Sequence, residues 1–141
     1  MHNSVQKYKD IISAIDRKIE EQKLNITPKV IAVSKTFKLE KILPLIEYGH
    51  LDYGENKVQE AIDKWRETKD KKPQIKLHLI GKLQTNKVKF ALKIFDYIHS
   101  VDNKKLAKKI ADEELKQGKK IKILLQINIG NEDQKTGVNK N

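Results

Sequence analysis

At 141 residues, with 38% hydrophobic and 35% charged content, the chain has room for one core under a well-solvated surface, and nothing in its composition asks for a second domain. It contains no cysteine, which excludes disulfides and thiolate-bound metals and fits a reducing, cytoplasmic setting. The net charge of +11 invites a nucleic-acid reading, but only Arg17 and Arg66 among the 30 basic residues are arginine, the side chain whose fork reads phosphates and guanine edges.

Taken in order, Val5, Tyr8, Ile12, Ile15 and Ile19 recur at spacings of three and four and predict one apolar helix face. Residues 25–28 break it before the apolar run Val30-Ile31-Ala32-Val33. Leu39, Ile42, Leu43 and Ile46 predict a second helix stopped by Gly49, with Pro44 as a kink or a sign of a late start. A strand around Leu51-Asp52-Tyr53 follows, then a third helix face of Val58, Ala61, Ile62 and Trp65, with a charged turn at 70–73. The run Leu77-His78-Leu79-Ile80 precedes a fourth helix face of Val88, Ala91, Leu92 and Phe95, with Thr85 as its N-cap. Tyr97-Ile98-His99 leads to a fifth face of Leu106, Ile110, Ala111 and Leu115, ended by Gly118, and residues 123–127 form the last strand. No apolar run is long enough to span a membrane, and the start opens on an amphipathic pattern rather than a signal-peptide core.

Strands alternating with helices imply parallel pairing, because each return needs a crossover. The pattern fits either an open doubly wound sheet or part of a (β/α) barrel. A complete barrel has eight strands and typically about 250 residues; five strands are legible here. The whole chain, 1–141, is expected to form one such incomplete unit.

Each apolar run ends in a polar cluster, and sites in α/β proteins are built at such carboxyl ends. Lys35 follows four apolar residues, so its amine is expected at a partly desolvated strand mouth. Desolvation disfavours the ammonium and makes an amine a usable nucleophile toward an aldehyde; one more solvated surface lysine is the bland alternative. His78 lies in an apolar run, on the same strand face as Ile80, and reads either as a hydrogen-bonded core residue or as a site residue. His2, His50 and His99 share no metal-ligand spacing with it. Asn56 follows Gly54-Glu55 at a strand end, where asparagine caps a helix or bonds a ligand. The six glycines form neither a P-loop nor a GxGxxG turn.

Taken together, five ordered segments resemble the YggS/PROSC family of pyridoxal phosphate homeostasis proteins. They are Ile31-Ala32-Val33-Ser34-Lys35-Thr36; Tyr53-Gly54-Glu55-Asn56-Lys57-Val58-Gln59-Glu60; His78-Leu79-Ile80-Gly81-Lys82-Leu83-Gln84-Thr85-Asn86-Lys87; Ile98-His99-Ser100-Val101-Asp102; and Gln126-Ile127-Asn128-Ile129 with Lys135-Thr136-Gly137. Tyr53 stands where the family often has Phe. The resemblance implies an α/β fold similar to the alanine racemase N-terminal barrel, with about five of its eight parallel strands in this chain. It implies a non-catalytic protein of vitamin B6 homeostasis that holds pyridoxal 5′-phosphate (PLP) as a Schiff base on Lys35, with Asn56, His78 and Ser100 lining the pocket. It also implies that the family's phosphate-binding loops lie beyond the last strand seen here, so the sequence is expected to be a family member truncated at its carboxyl end. The alternatives are a PLP-dependent racemase-like enzyme, whose second-face acid/base is not identifiable in this sequence, and a basic RNA- or anion-binding module, which lacks an aromatic stacking platform. Oligomeric state is left open.

Overall fold

The computed structural model describes residues 2–130 and 137–139, so Lys135 and Thr136 of the last motif lie outside the described residues. The chain alternates as its periodicity predicts: α1 (Asn3–Gln22), β1 (Ala32–Val33), α2 (Leu39–Tyr48), β2 (Asp52–Glu55), α3 (Val58–Lys71), β3 (Lys76–Leu79), α4 (Val88–Ile94), β4 (Tyr97–Val101), α5 (Lys104–Gln117) and β5 (Lys122–Leu125). These five strands form one parallel sheet in the order β1-β2-β3-β4-β5. A doubly wound sheet reverses strand order at a switch point, whereas a barrel wall keeps chain order. The sheet is therefore a segment of a (β/α) barrel wall. The final apolar run divides after Leu125, and β6 (Ile127–Asn128) pairs in parallel with β7 (Val138–Asn139) as a separate sheet.

The core lies between the sheet and α2–α5. Tyr53, Leu77, Leu79 and Ile98 from the strands are fully buried together with Trp65, Ala91, Leu92 and Phe95. Each large apolar side chain so buried contributes about 1.5–3 kcal/mol. Helix α1 buries Val5 and half-buries Tyr8, Ile12, Ile15 and Ile19, the predicted stripe. Its Tyr8 ring meets Tyr48 of α2 at 5.9 Å and His50 at 4.7 Å between centroids. No described helix is long and apolar enough to cross a membrane.

Several local expectations are corrected. Helix α2 starts at Leu39 and runs through Pro44 to a left-handed Gly49 (φ 108°), and it buries Ile42, Leu45 and Ile46 while Leu43 stays exposed. Helix α3 extends to Lys71 and absorbs part of the predicted charged turn. Thr85 does not cap α4. It opens a 3-10 turn (Thr85–Lys87), α4 starts at Val88 without a side-chain cap, and Phe95 lies just past the helix, extended but buried. In α5 the buried stripe is Leu106, Ile110 and Glu113, with Ala111 exposed and Leu115 85% exposed. At about 100° per residue, position 115 is rotated well away from the line through 106, 110 and 113.

Candidate functional site at the strand ends

Strand alternation divides the sheet into a helix-packed outer face and an inner face. Tyr53 and Glu55 face the helices, where the Tyr53 ring meets Trp65 at 4.8 Å and Glu55 Oε1 accepts the Trp65 indole N–H at 2.7 Å. Asp52, Gly54 and Asn56 therefore belong to the inner face. In-register pairing adds Val33 opposite Gly54, His78 opposite Gly54 and Tyr97 opposite His78. A Cβ on Gly54 would come within 3.2 Å of Ile31 Cγ2 and 3.4 Å of Ile80 Cδ1, so this inner layer closes tightly around a glycine.

Lys35 sits where β1 gives way to a turn. The turn is closed by the Phe37 N–H donating to Ser34 C=O at 3.2 Å, which makes Lys35 and Thr36 its two central residues. Thr36 takes a positive φ of 66°. Glycine or asparagine is usual there, and a β-branched residue in that region is strained by about 1–3 kcal/mol. Alternation from Val33 (inner) and Ser34 (outer) directs Lys35 to the inner mouth. Lys35 is exposed and has no hydrogen bond or ion pair among the described residues. The partial desolvation expected for its amine is absent, because no described element covers that mouth.

The residues below the turn are held firmly. Ser34 N–H donates to Gly54 C=O at 2.9 Å, and its hydroxyl lies 3.3 Å from both that carbonyl and Glu55 Oε1. Lys64 on α3 reaches Glu55 Oε1 at 2.7 Å, Ser34 C=O at 2.9 Å and Glu60 Oε1 at 3.5 Å. Glu60 Oε1 in turn accepts the Thr36 N–H at 2.9 Å. Glu55 is completely buried, and its Oε2 has no partner among the described residues.

Two strands on, Asn56 and Ser100 converge on Gly81. A Cβ on Gly81 would lie 2.4 Å from Asn56 O and 2.7 Å from Asn56 Oδ1, and the Ser100 hydroxyl donates to Gly81 C=O at 2.7 Å. Ser100 arrives there through a β-bulge. Ile98 pairs with Ile123 and Val101 with Leu125, so His99 and Ser100 together stand opposite the single Leu124. The extra residue restores Val101 to the helix side and leaves both His99 and Ser100 on the inner side. Beside this point, Lys57, Lys82, Gln84 and Lys87 line a basic cleft with Asn56.

His78 lies deeper, below Ile80, and both ring nitrogens are engaged. Nε2 is 2.8 Å from Asp52 Oδ1 and Nδ1 is 2.9 Å from His99 Nε2. With the carboxylate accepting from Nε2–H, Nδ1 is left as an acceptor and His99 supplies the proton between the rings. The His78 ring stacks on Tyr97 at 4.1 Å and 9°, and the amines of Lys29 and Lys122 each lie 5.3 Å from the Tyr97 ring centre. Burial pushes the His78 pKa down against the opposing pull of Asp52; burial and then the neighbouring His78 push His99 down.

Of the four sequence-predicted residues, Asn56 and Ser100 are thus brought together through Gly81. Lys35 stands at the inner mouth beyond β1, one strand from Asn56 and three from Ser100, and His78 belongs to the layer beneath. Sequence reading missed Asp52 and His99 as partners of His78, although the shared inner parity of Asp52, His78 and Tyr97 carries that signal. It also missed Glu55, Glu60 and Lys64 as the support of the Lys35 turn. No group of three or more potential metal ligands occurs among the described residues.

A chain-ordered parallel wall with a lysine-bearing turn after its first strand defines a (β/α)-barrel protein whose polar groups gather at the strand carboxyl ends. The chain belongs to the alanine racemase N-terminal domain family, whose model matches residues 12–141. It is 37% identical over 113 residues to the pyridoxal phosphate homeostasis protein of Pasteurella multocida (strain Pm70), covering 80% of this chain and 48% of that one. It is 34% identical over 138 residues to the Escherichia coli (strain K12) protein of the same name, covering 97% and 58% respectively. The solved structure of PipY from Synechococcus elongatus PCC7942 with PLP bound matches with a TM-score of 0.71 at 35% identity, covering 88% of this chain and 57% of that one. The chain spans about half the length of the curated relatives it matches.

Proposed function

We propose that the chain, 1–141, acts as one PLP-binding unit in cytoplasmic vitamin B6 homeostasis, with Lys35 as the Schiff-base lysine and Asn56, His78 and Ser100 around the cofactor. The observation that carries this is Lys35 itself: an exposed amine without a described partner, on a held turn at a strand's carboxyl end. The names of the relatives and the PLP bound in PipY support the same assignment. PLP supplies an aldehyde that condenses with an amine, releasing water and leaving a Schiff base.

The residues present fit that group. The close approach of Asn56 to Gly81 leaves no room for a Cβ between them and packs these two strand ends together at the mouth. Ser100 fixes the Gly81 carbonyl, and Lys57, Lys82 and Lys87 place positive charge beside the same point, suited to an anionic ligand. His78 acts from below: its paired nitrogens hold it as a rigid, neutral floor rather than as a free acid or base. We assign the chain to binding rather than turnover, in keeping with its relatives' names.

Mixing the purified chain with PLP is expected to give a yellow adduct that borohydride fixes to Lys35, located by peptide mapping, and that Lys35→Ala abolishes. Labelling scattered over many lysines, or none, would overturn the assignment. The family name also favours a racemase-like reading. Under it, L-alanine with PLP and the chain would lose optical rotation; a flat trace is expected. Binding of RNA is expected to be weak and to collapse with added salt.

A further inference from the structure

The turn that carries Lys35 is not held by its own sequence. Thr36 occupies a left-handed conformation that a threonine resists, and nothing within residues 34–37 offsets that cost except one backbone hydrogen bond. The restraint comes from the first two turns of α3. Glu60 accepts the N–H of the strained residue itself, and Lys64 holds the carbonyl that begins the turn. Lys64 is 8% exposed at its side chain and is fixed from below by the fully buried Glu55. The turn is thus tied to one helix through charged groups at Ser34 and Thr36, and Lys35 is the residue between the ties.

We propose that Glu60 and Lys64 are positioning residues for Lys35: they clamp the strained turn so that the amine is presented to the inner mouth in one orientation. This rests on the assignment of Lys35 as the PLP-bonding lysine and gives that site a support outside it. The charge on Glu60 is secondary to its oxygen. What the Thr36 N–H needs is an acceptor at that point, which a glutamine amide oxygen supplies and an alanine does not. An untied turn lets Thr36 relax toward ordinary φ values, and the Lys35 stem swings with it. A misplacement of about 1 Å is enough to slow a reaction by up to about a hundredfold.

The test uses the full chain in three forms: wild type, Glu60→Ala and Glu60→Gln. PLP is the probe, and the rate of borohydride-trappable labelling at Lys35 is read by mass spectrometry. Amide exchange at Thr36 and the thermal midpoint are measured in parallel. Labelling of Lys35 is expected to fall about tenfold in Glu60→Ala and to return to near the wild-type rate in Glu60→Gln. Thr36 exchange should accelerate in Glu60→Ala only. Equal labelling of Lys35 in wild type and Glu60→Ala would overturn the clamp while leaving the PLP assignment standing. So would a loss in Glu60→Ala that Glu60→Gln does not rescue, or one that follows the thermal midpoint with Thr36 exchange unchanged. Failure of wild type to label Lys35 at all would overturn the PLP assignment and with it the clamp's role at that site.

Discussion

The two faces of the sheet are built to different standards. On the helix side, Tyr53, Leu77, Leu79 and Ile98 are fully buried, and even a carboxylate, Glu55, is enclosed with its own cation. On the inner side, Val33 is 51% and Leu124 44% exposed, and Lys35 is exposed at the mouth while Ser100 is buried against Gly81. Only the deeper inner layer, Asp52–His78–His99 over Tyr97, is knitted together. Over β1–β4 the outer face is closed by the helix that follows each strand in sequence, so it forms from local units, whereas Ile123 and Leu125 of β5 stay exposed. The inner face can be covered only by structure from across the barrel. The residues proposed for PLP binding lie on the side that the five strands alone leave open.

The sharpest way to break this contrast is to disturb the enclosed charge. Lys64→Met leaves the completely buried Glu55 without its cation, which is expected to cost about 3–5 kcal/mol in urea unfolding. Adding Glu55→Gln should recover much of that loss, because it removes the uncompensated charge yet keeps an oxygen for the Trp65 N–H. A Lys64→Met variant as stable as wild type would mean that water reaches Glu55 and that the outer face is less closed than its packing indicates.

The open mouth predicts a smaller effect, on ligand choice. Lys57, Lys82 and Lys87 are exposed, so any attraction they exert on a phosphate is screened. This polypeptide alone is expected to prefer PLP over pyridoxal by less than tenfold, about 1.4 kcal/mol, when adduct absorbance is titrated with both. A much larger preference would place an effective phosphate site within these strands.

The knitted inner layer should report itself through pH. Burial depresses the pKa values of His78, His99 and also His50 in the folded chain. The unfolded chain, with histidines near 6.5, therefore takes up protons first. The stability held by the neutral rings is fully present above about pH 6.5 and is lost as pH falls through the depressed folded-state values. Protonation of both His78 and His99 would also set two cations beside Lys29 and Lys122, with Asp52 and, less strongly, Asp96 opposing them. Urea midpoints between pH 7.5 and 5 should fall, and less so in His99→Gln. A pH-independent midpoint would show that the rings are solvated and that the layer is not closed.

What the sequence disclosed follows the same division. Helices α1, α3 and α5 and the alternation of strands with helices were legible because stripes and alternation are local signals, and the proposed site residues drew attention because they lie in or just after apolar runs. The Thr36 conformation was not, since threonine is a poor candidate for a positive φ and the groups that hold it come from α3. Nor was the bulge that turns Ser100 inward, which exists only relative to β5. The pairing of His78 with His99 joins residues 21 apart on different strands, and Glu55 read as a polar strand end when alternation sends it into the core. Each miss is a tertiary contact overriding a local preference.

The smallest effect tests one such override. Leu115 belongs to the apolar face that spacing predicts for α5, yet it is 85% exposed, whereas Ile110, five residues earlier, is 2% exposed. With the helix rotated in this way, Leu115→Lys removes almost no buried area. It also places a cation near the carboxyl end of the helix, where the backbone dipole favours one. The stability change should stay within about 0.5 kcal/mol of zero, as for surface sites generally. Ile110→Ala, made on the same helix as a reference, should cost about 2–5 kcal/mol. The ratio of the two urea shifts reads the rotation of α5 directly. A Leu115→Lys loss approaching that of Ile110→Ala would mean that this side of α5 is covered, and that the outer face extends further around the helix than the described residues place it.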